Sequence, residues 1–563
     1  MSIDIETYRL KAQEAIEYVF VKEYHNSLGI PMPIVKMLLP DDANYSTGQY
    51  YITIDKTWQI HLNFGKLPIS YHEFQNEVKV LTRHEIEHYM CCPFDVITHF
   101  RMLKRIKDVY YKHFSHLGIN IKYACGAISN QAADIIVDTK NYYRHSKETL
   151  KSEIDWIKIG ANISACPRHC KLMFLTKEAI WKEDLGINET DPEFLKIVHQ
   201  LADSFTKNGI EDKSSFLDKV EEYAEIFFKL YVEDQKNPQQ SSQQGSQQQN
   251  GQQGSQQQSG QWGVGRPKDG DEHGNAFVFA DPDKVKEAIE VLAEETSVEE
   301  FIDLLAIAGI IGMSDKQKGV LWFNVQSANI IPIVEFSNTG NKSSYTYPSV
   351  WRIGDPIEEL DLMLTYMTSP RLIPGMTTKK WEYVSNDDNG TESKQMDLLL
   401  VVDTSGSMGS AMKESANMHQ AVLASYGILS YFESTKSKVA FIGFSDKIDA
   451  YVDWSDKYDD VRERLLTNGH GGTKFPISRI KSTLDVRSRD LVTVLITDGD
   501  LGNINESVSY FRDYLNDDNK LYIFLLGGSK SLHSYEPLKN IGAKIYNANN
   551  ANEFCDMVLT DME

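Results

Sequence analysis

The sequence predicts a multidomain chain in which an N-terminal α+β region is continued by helices and a doubly wound α/β domain closes the C-terminal end. Three observations carry that expectation. At 563 residues the chain is too long for a single compact unit, since domains run to roughly 150 residues each. A Gln-rich stretch, QKNPQQSSQQGSQQQNGQQGSQQQSGQWG from Gln235 to Gly263, divides it. Beyond residue 396, apolar runs of strand length alternate with helical patterns, the βαβ rhythm of a parallel sheet.

Taken in order, MSIDIETYRLKAQEA reads as a helix start, because acidic residues stand where an export signal needs a basic, then apolar, stretch. PIVKMLL, QYYITID and TWQIHLNF follow as strands, and a helix is expected over about 74–90, with helical patterns to about 234. The Gln-rich run has almost nothing to bury and is expected to be a flexible tether. DPDKVKEAIEVLAEE opens a helix with Asp at its start, and a second helix-like run ends near Gly312. From there to Ser393 the text is irregular and aromatic (VLWFNV, IIPIVEF, YPSVWRIGDP) and reads as an adaptor that packs on something else. MDLLLVVD, KVAFIGFS, LVTVLITD and KLYIFLLGG are the strands of the last domain, separated by helices such as MKESANMHQAVLASYGILSYF and ESVSYFRDYLN. The expected division is therefore 1–145, 146–234 (helical extension), 235–283 (linker), 284–395 (adaptor) and 396–563.

Composition narrows the function. The formal net charge of −22 repels phosphate backbones, which argues against nucleic acid and favours cations or basic surfaces as partners. Six cysteines are too sparse for a secreted disulfide scaffold, so a reducing, cytoplasmic setting is expected. The longest nearly unbroken apolar run, Leu304 to Met313, is ten residues, against about 20 for a bilayer span. No membrane association is expected.

In open α/β sheets the ligand sits beyond the carboxyl ends of the strands. There the first strand of the last domain ends in Asp403, Thr404, Ser405, Gly406, Ser407; the loop GHGGTKF brings Thr473, and LITDGD brings Asp498. Asp403, Ser405, Ser407, Thr473 and Asp498 offer hard oxygen donors from three loops, suited to Mg²⁺ with a position open for water or an incoming carboxylate. The segment 396–563 resembles a von Willebrand factor A (VWA) domain with a complete metal-ion-dependent adhesion site (MIDAS), whose D-x-S-x-S stands here as DTSGS. The resemblance implies that Ser405, Ser407 and Thr473 bind the metal through hydroxyls and that Asp403 and Asp498 act directly or through water. Such sites bind protein partners and do not catalyse.

The predicted helix near residue 80 contains His84, Glu85, Ile86, Glu87 and His88. Histidines at i and i+4 share one helical face and can chelate one Zn²⁺, with Glu85 placed to act as general base. Strands followed by such a helix are the zincin arrangement. A metzincin continuation needs Gly and His where this chain has Cys91 and Phe94. For the third ligand, NQAADIIVD offers a polar stripe of Asn130, Asp134 and Asp138 at i, i+4, i+8 amid apolar residues. Facing inward, it needs a partner such as a cation. Cys91 or Cys92 is the alternative, whereas Cys166 and Cys170 in CPRHC, and His99, His113 and His116, read as ordinary residues.

HEIEH followed by NQAADIIVD resembles the metallopeptidase-like proteins in which H-E-x-x-H precedes N-x-A-x-D and, after a linker, a VWA domain; in bacteria these resemble partners of MoxR-type AAA+ ATPases. The resemblance implies Asp134 as third ligand. It points to a zinc-dependent metallopeptidase tethered to a Mg²⁺-dependent binding module that recruits a substrate, a client protein or a MoxR-type AAA+ ATPase. The alternatives are a non-catalytic VWA adaptor and a CobT-like subunit of the cobalt or magnesium chelatase type. No G-x-x-x-x-G-K-[ST] loop occurs in the chain, so ATP hydrolysis would come from a partner.

Overall fold

The structure is a computed structural model that describes residues 5–28, 32–38, 50–54, 59–64, 70–159, 163–236, 282–308, 310, 313–328, 345–351, 378–384, 396–487, 490–499, 501–517, 519–526 and 533–548. The chain forms two compact units, Met1–Ser314 and Asp315–Glu563. The division falls inside the segment 284–395 that the sequence treats as one region. Residues 237–281 of the expected linker and IIPIVEF lie outside the described residues, whereas Gln235, Lys236, Pro282 and Asp283 are helical.

In the first unit, strands β1 (Ile34–Leu38), β2 (Tyr50–Ile54) and β3 (Gln59–Phe64) form a sheet of order β1-β3-β2, with β1 parallel and β2 antiparallel to β3. Helix α2 (Tyr71–Met90) starts where Ser70 caps it: the Ser70 hydroxyl accepts from Glu73 N at 3.2 Å and donates to the Glu73 carboxylate at 3.1 Å. The first of these bonds satisfies one of the amides that the first turn leaves unpaired. Along α2, Phe74, Val78 and Ile86 form an apolar stripe that packs with Tyr8, Ala12, Ala15, Ile16, Val19 and Phe20 of the N-terminal helical segment beginning with α1 (Ile5–Glu17). Burial of each large side chain contributes about 1.5–3 kcal/mol, so α2 is anchored on this side and its opposite face is held for the site.

The bundle centres on α4 (Ile121–Ile159), which packs against α2, α3 (Val96–Val109), α5 (Arg168–Trp181) and α7 (Phe216–Lys236), with α6 (Pro192–Thr206) against α5. The 39-residue α4 bends at His145, where φ is −135° and ψ 48°. Beyond the linker, α8 (Pro282–Glu295) and α9 (Val298–Ile307) pack back on this bundle. Arg101 pairs with Glu295, Lys104 with Glu300 at 2.5 Å and Lys107 with Asp303 at 3.1 Å. Such exposed pairs are worth about 0–1 kcal/mol each, so the buried Leu292, Phe301, Leu304 and Leu305 supply most of the attachment.

The second unit opens with α10 (Asp315–Ala328), so VLWFNV, expected to be irregular, is helical. Its Trp322 and Phe323 lie against the His419 ring at 5.3 and 5.2 Å, on α11 (Asn417–Ser434). β4 (Tyr345–Val350) and β5 (Lys379–Val384) form an antiparallel pair. The main sheet has order β11-β10-β9-β6-β7-β8: β6 (Asp397–Asp403), β7 (Val439–Phe444), β9 (Leu491–Thr497), β10 (Lys520–Leu526) and β11 (Lys544–Ala548) are parallel, and β8 (Ile448–Ser455) is antiparallel to β7. The chain builds outward from β6 through β7 and β8, then crosses to β9 on the other side. The switch point therefore lies between the carboxyl ends of β6 and β9, the crevice where open α/β sheets bind ligands. β6, β7, β9 and β10 are buried almost throughout, as helix-covered parallel strands must be. The parallel-dominated α/β architecture is as expected. Among the described residues no helix is long and apolar enough to cross a membrane.

Candidate metal centre

The i, i+4 spacing on α2 brings the His84 and His88 rings to 4.6 Å between centroids, perpendicular to each other. Their Nε2 atoms lie 3.1 Å apart. Asp134, from the facing turn of α4, places Oδ1 at 3.3 Å from His88 Nε2 and 3.5 Å from His84 Nε2. These three donors lie within 4.8 Å of one another and form a group that could hold a metal ion.

The outward sides of the imidazoles are also occupied. His84 Nδ1 is 2.6 Å from Asp138 Oδ1, and His88 Nδ1 is 2.8 Å from the Cys92 carbonyl. With each Nδ1–H donating outward, both Nε2 lone pairs point inward, the tautomer a metal ligand requires. Asn130 Nδ2 donates to Asp134 Oδ2 at 2.8 Å, which turns Oδ1 toward the histidines. The stripe on α4 thus divides its work: Asp134 meets both Nε2 atoms, Asp138 orients His84, and Asn130 orients Asp134.

Charge supports the fit. Burial works to lower the His84 pKa, but the carboxylates of Asp138, Asp134 and Glu85 raise it, and the outcome is a rise to about 9. Asp138 in turn is held well below the usual carboxylate range despite burial by Lys177 and His84. Burial raises the Glu153 carboxyl. Even so, carboxylates outnumber the one ammonium, Lys177, around two imidazoles. The same field that retains a proton on His84 attracts a cation, and two imidazoles with one carboxylate suit Zn²⁺. Glu85, 3% exposed, lies between the two ligands in sequence. Glu87, by contrast, is neutralised by Lys140 at 2.9 Å and Arg144 at 2.7 Å, which marks it as structural.

In the second unit, Asp403 ends β6 and is fully buried. Its Oδ1 accepts from Ser405 N at 2.8 Å and its Oδ2 from the Thr497 hydroxyl at 2.6 Å. Burial pushes its pKa above the usual range, opposed by these hydrogen bonds. Ser405 Oγ and Ser407 Oγ are 3.1 Å apart; Ser407 donates to Asp498 Oδ1 at 3.0 Å, and Asn417 Nδ2 donates to Asp498 Oδ2 at 3.1 Å. Asp403, Ser405, Ser407 and Asp498 thereby gather at the switch point. The loop that carries Thr473 is tied to this end of the sheet, with Gly406 N donating to Gly471 O at 3.3 Å and Lys474 N to Ser445 O at 2.8 Å; among the described residues no bond places the Thr473 side chain itself within the cluster. Close approach explains one glycine there: a Cβ on Gly469 would lie 2.6 Å from Thr404 O and 2.3 Å from Asp449 Oδ2.

Some of the sequence expectations were incomplete. The thiol alternative finds no support among the described residues: no cysteine joins the donor group, and Cys92 contributes its carbonyl instead. Lys177, Asn417 and Thr497 were not singled out from the sequence. Lys177 carries one legible signal, a lysine just after the apolar run Leu172–Leu175 on the same predicted helix; Asn417 and Thr497 carry none. No protein-family model matches this chain, and no curated protein is similar enough to count as a relative.

Proposed function

We propose that the N-terminal unit is a zincin-like, zinc-dependent metallopeptidase and that the β6–β9 switch point is the Mg²⁺ site of a VWA module, which recruits a substrate, a client protein or a MoxR-type AAA+ ATPase. The convergence of His84 Nε2, His88 Nε2 and Asp134 Oδ1 within 4.8 Å, behind the H-E-x-x-H pattern, is the observation that carries the enzymatic half. His84, His88 and Asp134 hold the ion. When bound, zinc supplies Lewis acidity toward water and a peptide carbonyl. Glu85 is the base that takes a proton from the attacking water and returns it to the leaving amine. Asp138 and the Cys92 carbonyl keep both imidazoles in the ligating tautomer. At the second site, Ser405, Ser407, Thr473, Asp403 and Asp498 hold Mg²⁺ and leave a position for a partner's carboxylate. The free cysteines suit a cytoplasmic location, and the charge of −22 disfavours nucleic acid.

One observation favours the non-catalytic adaptor or chelatase-like reading: His88 is fully buried and Asp134 only 6% exposed, as in a structural metal site. Glu85→Gln separates the two. A general base contributes roughly 10²–10⁴-fold, so peptidase activity should fall by that much while one equivalent of zinc is retained. Loss of zinc in Glu85→Gln, or no activity in the zinc-loaded wild type, favours the adaptor.

A further inference from the structure

Lys177 stands in the middle of α5 and its side chain is 2% exposed. Nζ lies 2.5 Å from Asp138 Oδ2 and 3.0 Å from Glu153 Oε1, both on α4. The other oxygen of Asp138 is the one that meets His84 Nδ1 at 2.6 Å. A continuous chain of charge-assisted hydrogen bonds therefore runs Glu153, Lys177, Asp138, His84, and ends at the Nε2 atom that faces His88 and Asp134.

Burying an ammonium is costly, and a packed apolar side chain generally serves stability as well or better. A helix position between α4 and α5 that needed only packing would be filled by Leu or Met, as its neighbours Leu172, Phe174 and Leu175 are. Nor can Lys177 act on a substrate, being enclosed and engaged with two carboxylates. What it does determine is where Asp138 points. A carboxylate between one imidazole and nothing else can rotate; one clamped between Nδ1–H and an ammonium cannot, and charge-assisted bonds of this kind are the strong ones.

We propose that Lys177 is a positioning residue of the metal centre: through Asp138 it fixes the ring orientation of His84, so that Nε2 stays aimed at the point shared with His88 and Asp134. This rests on the metal-binding reading of that group. Partners behind a ligating histidine typically affect metal affinity by 10–100-fold, and Lys177 acts one bond further out but on the same carboxylate.

The test uses the full chain with Zn²⁺ and Co²⁺ as probes. Zinc affinity is measured against a chromophoric chelator, the visible Co²⁺ spectrum reports ligand geometry, and circular dichroism reports the fold. Lys177→Met should keep the fold, lose about tenfold or more in zinc affinity and alter the Co²⁺ spectrum, whereas Glu153→Gln should keep the wild-type spectrum. Lys177→Arg, which retains a cation, should recover most of the affinity. If Lys177→Met alone does not fold, the double change with Glu153→Gln removes the unbalanced carboxylate, and the same spectral change is expected from it. Wild-type zinc affinity and an unchanged Co²⁺ spectrum in the folded Lys177 variant overturn the proposal. A wild-type chain that binds neither ion overturns the metal reading itself, an outcome distinct because His84→Ala then changes nothing either.

Discussion

The donor group on α2 and α4 and the oxygen cluster between β6 and β9 are built in different ways. The first is built from helix faces, and its donors are held from behind: Asp138, Cys92 O and Asn130 each bond the side of a ligand that turns away from the centre. The second is built at strand and loop ends; Thr497 and Asn417 hold Asp403 and Asp498 from outside, but its inner oxygens also bond one another, Ser405 with Ser407 and Ser407 with Asp498. An ion at the first site meets lone pairs already aimed inward. An ion at the second, as proposed, would have to replace hydrogen bonds among the residues that hold it, and Ser407 is exposed there whereas His88 is fully buried. Preorganisation by a packed core favours tight, slowly exchanging binding; a self-satisfied rim favours weaker binding that a partner's carboxylate can complete.

The sharpest way to break this contrast is to remove the third ligand. Asp134→Ala should weaken zinc binding by more than the roughly 10–100-fold expected when an outer partner is lost, with Asp138→Ala and Asn130→Ala falling inside that range. Titration of each variant with zinc against a competing chelator decides it. A larger loss from Cys91→Ser or Cys92→Ser would mean that a thiolate ligates after all.

Proton competition sharpens it further. In the metal-free fold the His84 pKa is raised from 6.5 to about 9, so protonation of His84 stabilises that fold fully below about pH 6.5 and this contribution disappears as pH rises through about 9. Metal must displace the same proton. Zinc affinity should therefore climb about tenfold per pH unit between roughly pH 7 and 9 and level off above. A flat profile across that window would show that no proton is released there.

The smallest effect belongs to the second site. Saturating Mg²⁺ should raise the unfolding temperature of the wild type modestly, by the equivalent of about 3 kcal/mol at a hundredfold excess over Kd, and leave Asp403→Ala unmoved. Capture of a MoxR-type ATPase or client should disappear with EDTA and in Asp403→Ala or Thr473→Ala. Equal recovery with EDTA present would mean that the module binds without the ion.

Much of this was determined by the sequence alone. The spacing of His84 and His88 places them on one face of any helix, because 3.6 residues make a turn. The stripe Asn130, Asp134, Asp138 follows from the same period, and Asp403 and Asp498 follow from where apolar strand runs stop. The edge strand β8 was legible in principle, since IDAYVDWS largely alternates polar and apolar residues as a half-buried strand does, whereas the short helices Tyr458–Leu465 and Ile477–Leu484 span only eight residues each and give the helical period little room to show. Periodicity does not separate Asp134 from Asp138, which lie one turn apart on the same stripe; the resemblance implied Asp134, and the tertiary structure sets Asp134 Oδ1 against both Nε2 atoms and Asp138 Oδ1 against His84 Nδ1. It also decided that α8 and α9 return to the first unit, and that Lys177 meets Asp138. Periodicity reports which residues share a face because the backbone geometry is local. Which faces meet, and to within a few ångströms which atoms, depends on how buried side chains far apart in the chain fill space against one another.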